Sequence, residues 1–156
     1  MVEPMVDTLD AEKEQFFRVM ALHKYFLNAD FARDVFMRRI NREQSPAEVD
    51  FASSMDDSIA LSLWYATVYV VIEGWRATGI SDSEVDALLG DDRVDDLRRF
   101  RNQIFHYQPT YDNPKLLEFL GTGDADAQDA TTWIRRTHAA LGRAIAQALQ
   151  GLVDPQ

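Results

Sequence analysis

The residues of this chain that are best suited to chemistry on an anion lie between Leu97 and Tyr111. This run of fifteen residues contains three arginines, one asparagine, one histidine and two tyrosines, and it has no acidic residue. The chain as a whole has 156 residues and a formal net charge of −10. A local basic run with a histidine in an acidic chain indicates an oxyanion, such as a phosphate group, as its ligand or substrate.

The spacing within this run carries a family resemblance. Arg101 is followed directly by Asn102, and His106 comes four positions after the asparagine. This pattern resembles the R-x4-6-H signature of the HEPN superfamily, whose members are small all-helical domains with the motif near the C-terminal end of a late helix. The resemblance implies a ribonuclease of a toxin–antitoxin or defence system. It also implies a homodimer that brings two copies of the motif together.

The resemblance also implies a role for each residue, in an RNA cleavage that uses the substrate 2′-hydroxyl as nucleophile and needs no metal or other cofactor. His106 would transfer protons, because imidazole titrates near neutral pH. Arg101 would hold the phosphate with its fork of donors and offset the charge that develops on the phosphate oxygens. Asn102 would orient the imidazole or contact the phosphate. Tyr107 or Tyr111 would stack on a base or donate a hydroxyl.

The order His106-Tyr107-Gln108 departs from the pattern of several toxin members of the family. Those members carry a tyrosine two positions after the histidine, where a partner nucleotidyltransferase modifies it. In this chain the tyrosine comes one position earlier. We therefore do not expect that modification, and an antitoxin partner of this chain would not be inferred to be a nucleotidyltransferase.

A continuous helix would keep the arginine and the histidine apart. Five residues turn about 140° on an α-helix, so Arg101 and His106 would not share a face. Asn102 and His106, four positions apart, would share one. Arg101 and His106 can reach one phosphate only if the helix loosens before Pro109, or if a second subunit completes the site.

Structural explanations for the same charges stay open. Arg101 could form an ion pair with a carboxylate such as Glu73. Glu73 could equally be an ordinary helix-end carboxylate that has no role in the site. Arg98 and Arg99 follow Asp95 by three and four positions, a spacing that favours surface ion pairs over ligand contacts. A second function hypothesis also stays open: a catalytically inactive HEPN-like module that binds RNA, a nucleotide or a protein partner, in which the basic run only recognises an anion.

The other two histidines, His23 and His138, have apolar neighbours at helical spacing, which is typical of histidines at the edge of a core. Three histidines on three helices could also meet in a metal site. None of the three, however, is followed by His or Glu at the i+3 or i+4 spacing of such sites in bundles. We therefore predict that the chain binds no metal.

Hydrophobic periodicity predicts the scaffold that must position these groups: a single all-α domain over residues 1–156, with four main helices and one or two short ones. The main helices are expected from about Asp10 to Ile40, from Ile59 to about Thr78, from Asp91 or Asp92 to just before Pro109, and from near Asp126 to Gly151. Residues 1–8 and 151–156 are expected to be loose tails.

Local signals mark the ends of these elements. The second and central helix could begin at a capping box formed by Ser45 and Glu48, or at Ser54, and Gly79 is expected to cap its end. The first helix could be kinked near Asn28. Short helices are expected after a capping box at residues 81–84, with Gly90 ending that helix, and between Asn113 and Leu120.

Composition excludes several classes of protein. The chain has no cysteine, so it cannot form disulfides, cysteine zinc sites or a thiol nucleophile. Its N-terminal segment has no secretory-signal pattern, and its most apolar run, Trp64 to Ile72, is far shorter than the roughly 20 residues that span a bilayer. The acidic balance argues against nonspecific coating of nucleic acid, although a nuclease needs only a local basic cleft. These features predict a cytoplasmic protein without a membrane segment.

Overall fold

In a computed structural model, residues 4–42, 50–110, 118–119 and 123–154 are described, and they contain five α-helices and no strand. The helices are α1 (Pro4–Ile40), α2 (Phe51–Thr78), α3 (Ser83–Leu88), α4 (Arg93–Phe105) and α5 (Asp124–Val153). Four of them are long, which confirms the predicted all-α bundle. The predicted capping box at Ser45, the short helix from Asn113 and the site residue Tyr111 lie outside the described residues.

The two ends of the bundle differ from the prediction. Because α1 begins at Pro4 and α5 ends at Val153, residues 4–8 and 151–153 are helical rather than loose. Proline is compatible with the first turn of a helix, where its missing N–H would have no partner. Gly151 does not end α5, because glycine weakens a helix by only about 1 kcal/mol. The first helix also continues without a break past Asn28.

The central helix α2 begins earlier than Ile59 and does not begin at Ser54. The Asp50 side chain accepts a hydrogen bond from the backbone N–H of Ser53 at 2.8 Å and so caps the first turn. At the other end Gly79 has φ 70°, a left-handed conformation that favours glycine, which confirms the predicted cap. Between these ends α2 packs against α1, α4 and α5.

By length and composition alone, α2 could cross a membrane. Half of its 18-residue apolar window, however, is buried inside the bundle. The buried side chains include Trp64, Ile72 and Trp75, which pack in one core with side chains of the other helices. The apolar character of α2 therefore follows from its central position and does not indicate a membrane protein.

Helices α1 and α2 are antiparallel. Gln15 of α1 donates to the carbonyl of Thr78 at 3.3 Å, and Arg39 donates to Asp57 at 2.7 Å. The two helices approach closely at Gly74, where a Cβ atom would lie 2.8 Å from Cδ1 of Leu22. Gln15 lies opposite the last residue of α2, and residues 8–14 before it are exposed to solvent.

Asp82 links the short helix α3 to α5. Its carboxylate accepts hydrogen bonds from the backbone N–H groups of Glu84 and Val85, so Asp82, rather than Ser81, is the N-cap of α3. The same carboxylate binds Arg143 of α5 at 2.9 and 3.0 Å. The hydrogen bond from Arg143 is the largest of several causes that lower the pKa of Asp82 to about 2.

Helix α4 carries the motif. Its N-cap is Asp92, one of the two predicted starting positions, and acidic residues occupy its first turn as the helix dipole favours. Leu97 and Phe100 are buried against the core, and Phe100 lies near the rings of Tyr65 and Phe119. This packing fixes the rotation of α4 about its axis and so decides where the side chain of Arg101 points.

Candidate functional site

Arg101 is held against α2 by two contacts. Its Nη2 donates to Oε1 of Glu73 at 2.6 Å, and its guanidinium carbon lies 5.0 Å from the centre of the Tyr69 ring. Its side chain is only 20 % exposed, whereas that of Glu73 is 47 % exposed. The pair of Arg101 with Glu73 was one of the structural explanations left open by the sequence. Together, the ion pair and the cation–π contact hold the guanidinium in one place.

The guanidinium of Arg101 keeps unfilled hydrogen-bonding capacity. Within the described ranges, its Nε is buried without a hydrogen-bond partner, and no hydrogen bond is made by its Nη1. A buried donor without a partner costs about 1–3 kcal/mol, so such groups are uncommon unless a ligand or water completes them. Arg101 is therefore fixed in position but still able to donate to an oxygen of a ligand.

His106 lies just outside the helix. Helix α4 ends at Phe105, and His106 is its C-cap, with φ −115° and ψ 135° and its backbone N–H donating to the carbonyl of Asn102 at 3.1 Å. The chain thus becomes extended three residues before Pro109, which meets the first of the two conditions under which Arg101 and His106 could reach one phosphate. The imidazole is exposed and, in the part of the chain that the structure describes, has no hydrogen-bond partner.

Two more of the predicted site residues can be located. Tyr107 is 92 % exposed, as a side chain that stacks on an unpaired base would need to be. The side chain of Asn102 is half-buried and, as far as the described residues show, makes no hydrogen bond to the imidazole of His106. Among the described residues, the hydrogen bond between these two is the backbone one.

Arg98 and Arg99 form surface ion pairs. Arg98 binds Asp95 at 3.2 Å, and Arg99 binds both Asp96 and Glu118, the latter at 3.1 Å. These acidic partners balance most of the local positive charge. Of the three arginines in the run, Arg101 is the one whose Nε is buried without a partner among the described residues.

His138 lies inside the core rather than at its edge. Its Nδ1 accepts a hydrogen bond from the indole N–H of Trp64 at 3.2 Å, and its Nε2 lies 3.0 Å from Oδ1 of Asp30. Because an indole N–H can only donate, the imidazole proton must be on Nε2, which donates to Asp30. Burial lowers the pKa of His138 below its ordinary value, even though the hydrogen bond to Asp30 opposes this effect. His138 is therefore a neutral structural histidine.

The three histidines are not gathered in a metal site. Over the described ranges, no group of three His, Asp or Glu side chains is arranged to hold a metal ion. His23 is half-buried on α1, and no contact joins it to His106 or His138 among these residues.

Asp30, which holds His138, was not predicted from the sequence. One signal could have identified it: Asp30 lies four positions after Phe26 on α1, so it shares a face with a side chain that packs on the core. Phe26 also lies against the His138 ring, at 5.0 Å between centroids. Asp30 is half-exposed, and on this face its carboxylate can reach a buried donor, which His138 provides.

A comparison with known protein families, with characterised proteins and with solved structures finds no match to this chain. The functional interpretation therefore depends on the residues and the geometry described above.

Proposed function

We propose that this protein is a metal-independent endoribonuclease of HEPN type, with a toxin or defence role, that acts as a homodimer. The observation that carries the proposal is the arrangement at the end of α4. There, a fixed guanidinium with an unfilled donor precedes, by five residues, an exposed imidazole that has left the helix.

In this function Arg101 binds the scissile phosphate through Nη1, because Nη2 is held by Glu73. A guanidinium is positively charged and can offset the charge that builds up on the phosphate oxygens. Fixing it in advance, by Glu73 and Tyr69, lowers the entropy lost when the substrate binds.

His106 is the group that moves the proton. The 2′-oxygen of the ribose attacks the neighbouring phosphorus while its proton passes to the imidazole. The bond from phosphorus to the 5′-oxygen of the next nucleotide breaks, and that oxygen takes up a proton. The products are a 2′,3′-cyclic phosphate and a 5′-hydroxyl. A solvent-accessible imidazole suits this exchange, since it can return its proton to water or to the leaving oxygen.

One observation favours a second candidate function, a catalytically inactive module that binds RNA, a nucleotide or a protein. The Arg101–Glu73 ion pair already balances the charge of the guanidinium in the free protein. A phosphate must share the Arg101 guanidinium with Glu73 or displace Glu73 from it. Arg101 would therefore bind an anion more weakly than an unpaired arginine would.

The test is incubation of the purified protein with end-labelled RNA in the presence of a chelator, which separates metal-independent cleavage from that of contaminating metal-dependent nucleases. We expect His106→Ala and Arg101→Ala to reduce cleavage by about 100-fold or more, a typical loss for general acid–base or charge-stabilising groups. Arg98→Ala is the matched control, because Arg98 lies three residues before Arg101 on α4 and pairs with Asp95 in solvent. Undiminished cleavage by His106→Ala would refute the catalytic role, and binding of RNA without cleavage would support the inactive module.

A further inference from the structure

A pocket of about 350 Å³ lies where α1, α2 and α5 meet. This volume is within the range of small-molecule sites in proteins, about 300–1,000 Å³. Helix α1 lines one side of the pocket with residues that follow one another at steps of four, three and four and so share one face: Phe26, Asp30, Arg33 and Met37. Trp64 of α2 lines the pocket although its side chain is only 1 % exposed. The pocket is therefore a groove between helices with a buried indole at its floor.

The polar groups at the bottom of this pocket already have partners. The indole N–H of Trp64 donates to His138, and the other ring nitrogen of His138 donates to Asp30. A polar atom of a ligand would find few partners at this depth, and an unpaired buried polar atom is costly. The part of a ligand that enters must therefore be apolar or aromatic. The rings of Phe26 and Trp64 offer it a surface.

The charged residues of the pocket are nearer to solvent and give it a positive excess. Of the described residues that line it, Arg33 of α1 and Arg135 of α5 are basic, and Asp30 is acidic. Arg135 is exposed and forms no ion pair with any residue that the structure describes. Arg33 pairs with its chain neighbour Asp34 at 3.5 Å, and the side chains of both are well exposed. Two guanidiniums thus face one carboxylate, in a chain whose net charge is −10.

Burial is the main cause that lowers the pKa of His138, and the positive charge of Arg33 lowers it further. The charge of Arg33 therefore acts towards the inside of the pocket and not only towards solvent. Two arginines that line one pocket repel each other, and an anion between them removes that repulsion. A carboxylate suits this position, because its two oxygens can accept from two guanidiniums at once.

A nucleotide fits the pocket less well than a simple carboxylate does. The edge of a nucleobase carries several donors and acceptors, and it would lie against Trp64 and His138, whose polar groups are already hydrogen-bonded to each other. A ligand that is polar only at its anionic end avoids that cost.

We propose that the pocket between α1, α2 and α5 binds a small carboxylate with an apolar or aromatic body, whose charged end is held by Arg33 and Arg135. The body of the ligand lies against Phe26 and Trp64. The site uses none of the motif residues of α4, so the inference does not rest on ribonuclease activity.

The first test is titration of the isotope-labelled full chain with phenylacetate, followed by NMR. The chain has three tryptophans, and Trp64 is the one that lines this pocket. Its indole N–H signal should shift at millimolar phenylacetate, while the signals of Trp75 and Trp133 should stay in place.

The controls for this titration separate the two halves of the ligand. Acetate has the charge without the ring, and phenylacetamide has the ring without the charge, so each should bind at least about tenfold more weakly than phenylacetate. Adenosine monophosphate tests the nucleotide. No shift of the Trp64 signal with phenylacetate, or an equal response to acetate, phenylacetamide or adenosine monophosphate, would overturn the proposal.

The second test uses variants of the pocket. Arg33→Gln and Arg135→Gln should each weaken the binding of phenylacetate by about tenfold, since each removes one charged donor. Arg136→Gln is the matched control, because Arg136 is also exposed on α5 but lines a different pocket, beside α3. Binding should be unchanged in that variant.

A further variant fills the pocket and leaves both arginines in place. Ala139 is an exposed residue of α5 at the edge of the pocket, so Ala139→Phe should keep the fold, as circular dichroism can verify, and abolish the Trp64 response. Unweakened binding by Ala139→Phe and by both arginine variants, or equal weakening by Arg136→Gln, would place phenylacetate elsewhere and refute the site.

Discussion

His138 and His106 are the same kind of residue in opposite surroundings. His138 is buried and uses both ring nitrogens, one to accept from Trp64 and one to donate to Asp30. His106 is exposed at the end of α4, and its ring binds nothing among the described residues. The ring of the first histidine is fully used in holding the fold together. The ring of the second is open to solvent, as the proposed catalytic role requires.

The same contrast holds for the charged residues around them. Where α1, α2 and α5 meet, the polar groups of Trp64, His138 and Asp30 form hydrogen bonds with one another. At the motif, Arg101 keeps a buried Nε without a partner in the described part of the chain. Natural proteins rarely leave such groups unpaired except where a ligand is to bind. Substituting a residue of the Trp64–His138–Asp30 group should therefore lower stability more than substituting a residue of the proposed site.

The largest effect should come from His138→Ala. The substitution removes the partner of the buried Trp64 indole and of Asp30, and it leaves a cavity between α1, α2 and α5. Together these losses should lower the free energy of unfolding by about 3 kcal/mol. His106→Ala should change it by less than about 0.5 kcal/mol. Urea denaturation followed by circular dichroism measures the free energy of unfolding of both variants. Equal effects of the two substitutions would contradict the distinction between the buried His138 and the exposed His106.

Gly142→Ala should be the next most damaging change. A Cβ at Gly142 would lie 2.6 Å from the ring of Phe26, which packs against His138. Displacing that ring should lower stability by about 2 kcal/mol. Gly151→Ala is the matched control on the same helix, because nothing lies within 4 Å of its Cβ position. That variant should be neutral or more stable by up to about 1 kcal/mol, as measured by thermal denaturation.

The pH dependence of stability should reflect His138. Its pKa in the folded state is lowered by burial, so near and below the ordinary pKa of histidine the unfolded chain binds more protons than the folded one. Stability should therefore be fully present above that pKa and decline as the pH falls below it. Asp30 and Asp34 limit the decline, while Arg33 adds to it. His138→Gln should flatten the profile of melting temperature between pH 7.5 and 5.5, and a profile unchanged by this substitution would contradict the assignment.

The smallest effect is expected from Glu73→Gln. The Arg101–Glu73 pair is partly exposed, so its loss should cost no more than about 0.5–1 kcal/mol of stability. The same change removes the competitor for Arg101, and binding of a short RNA to the variant should become tighter. Fluorescence anisotropy of a labelled oligonucleotide checks this, with Glu84→Gln, far from the motif and paired with Arg143, as control.

Much of the scaffold follows from local signals that the sequence displays. The apolar face of α2, the cap at Gly79 and the start of α4 at Asp92 were predictable, because periodicity and capping depend on residues close together in the chain. The start of α2 was not: serine and aspartate both cap helices, and the choice of Asp50 over Ser54 depends on packing. The helical state of the first residues of α1 was also missed, because the apolar periodicity that indicates a helix becomes regular only from about Asp10.

The site was predictable only in part, and the reason is distance along the chain. Glu73 and Arg101 are 28 positions apart, and their pairing was one of the explanations left open by the sequence. Asp30 and His138 are 108 positions apart, and no local pattern joins a carboxylate on α1 to an imidazole on α5. Pro109 was expected to stop α4 soon after His106, but α4 ends earlier, at Phe105, and leaves His106 extended.

The hydrogen-bonded series Trp64–His138–Asp30 affects how the protein unfolds. It joins three helices through one imidazole, so the separation of any one of them leaves unpaired polar groups on the others. The three longest helices should therefore open as a single cooperative unit, with backbone amides in their centres exchanging with solvent at one common slow rate. The end of α4 stands outside that unit and can rearrange around a bound molecule without loosening the rest.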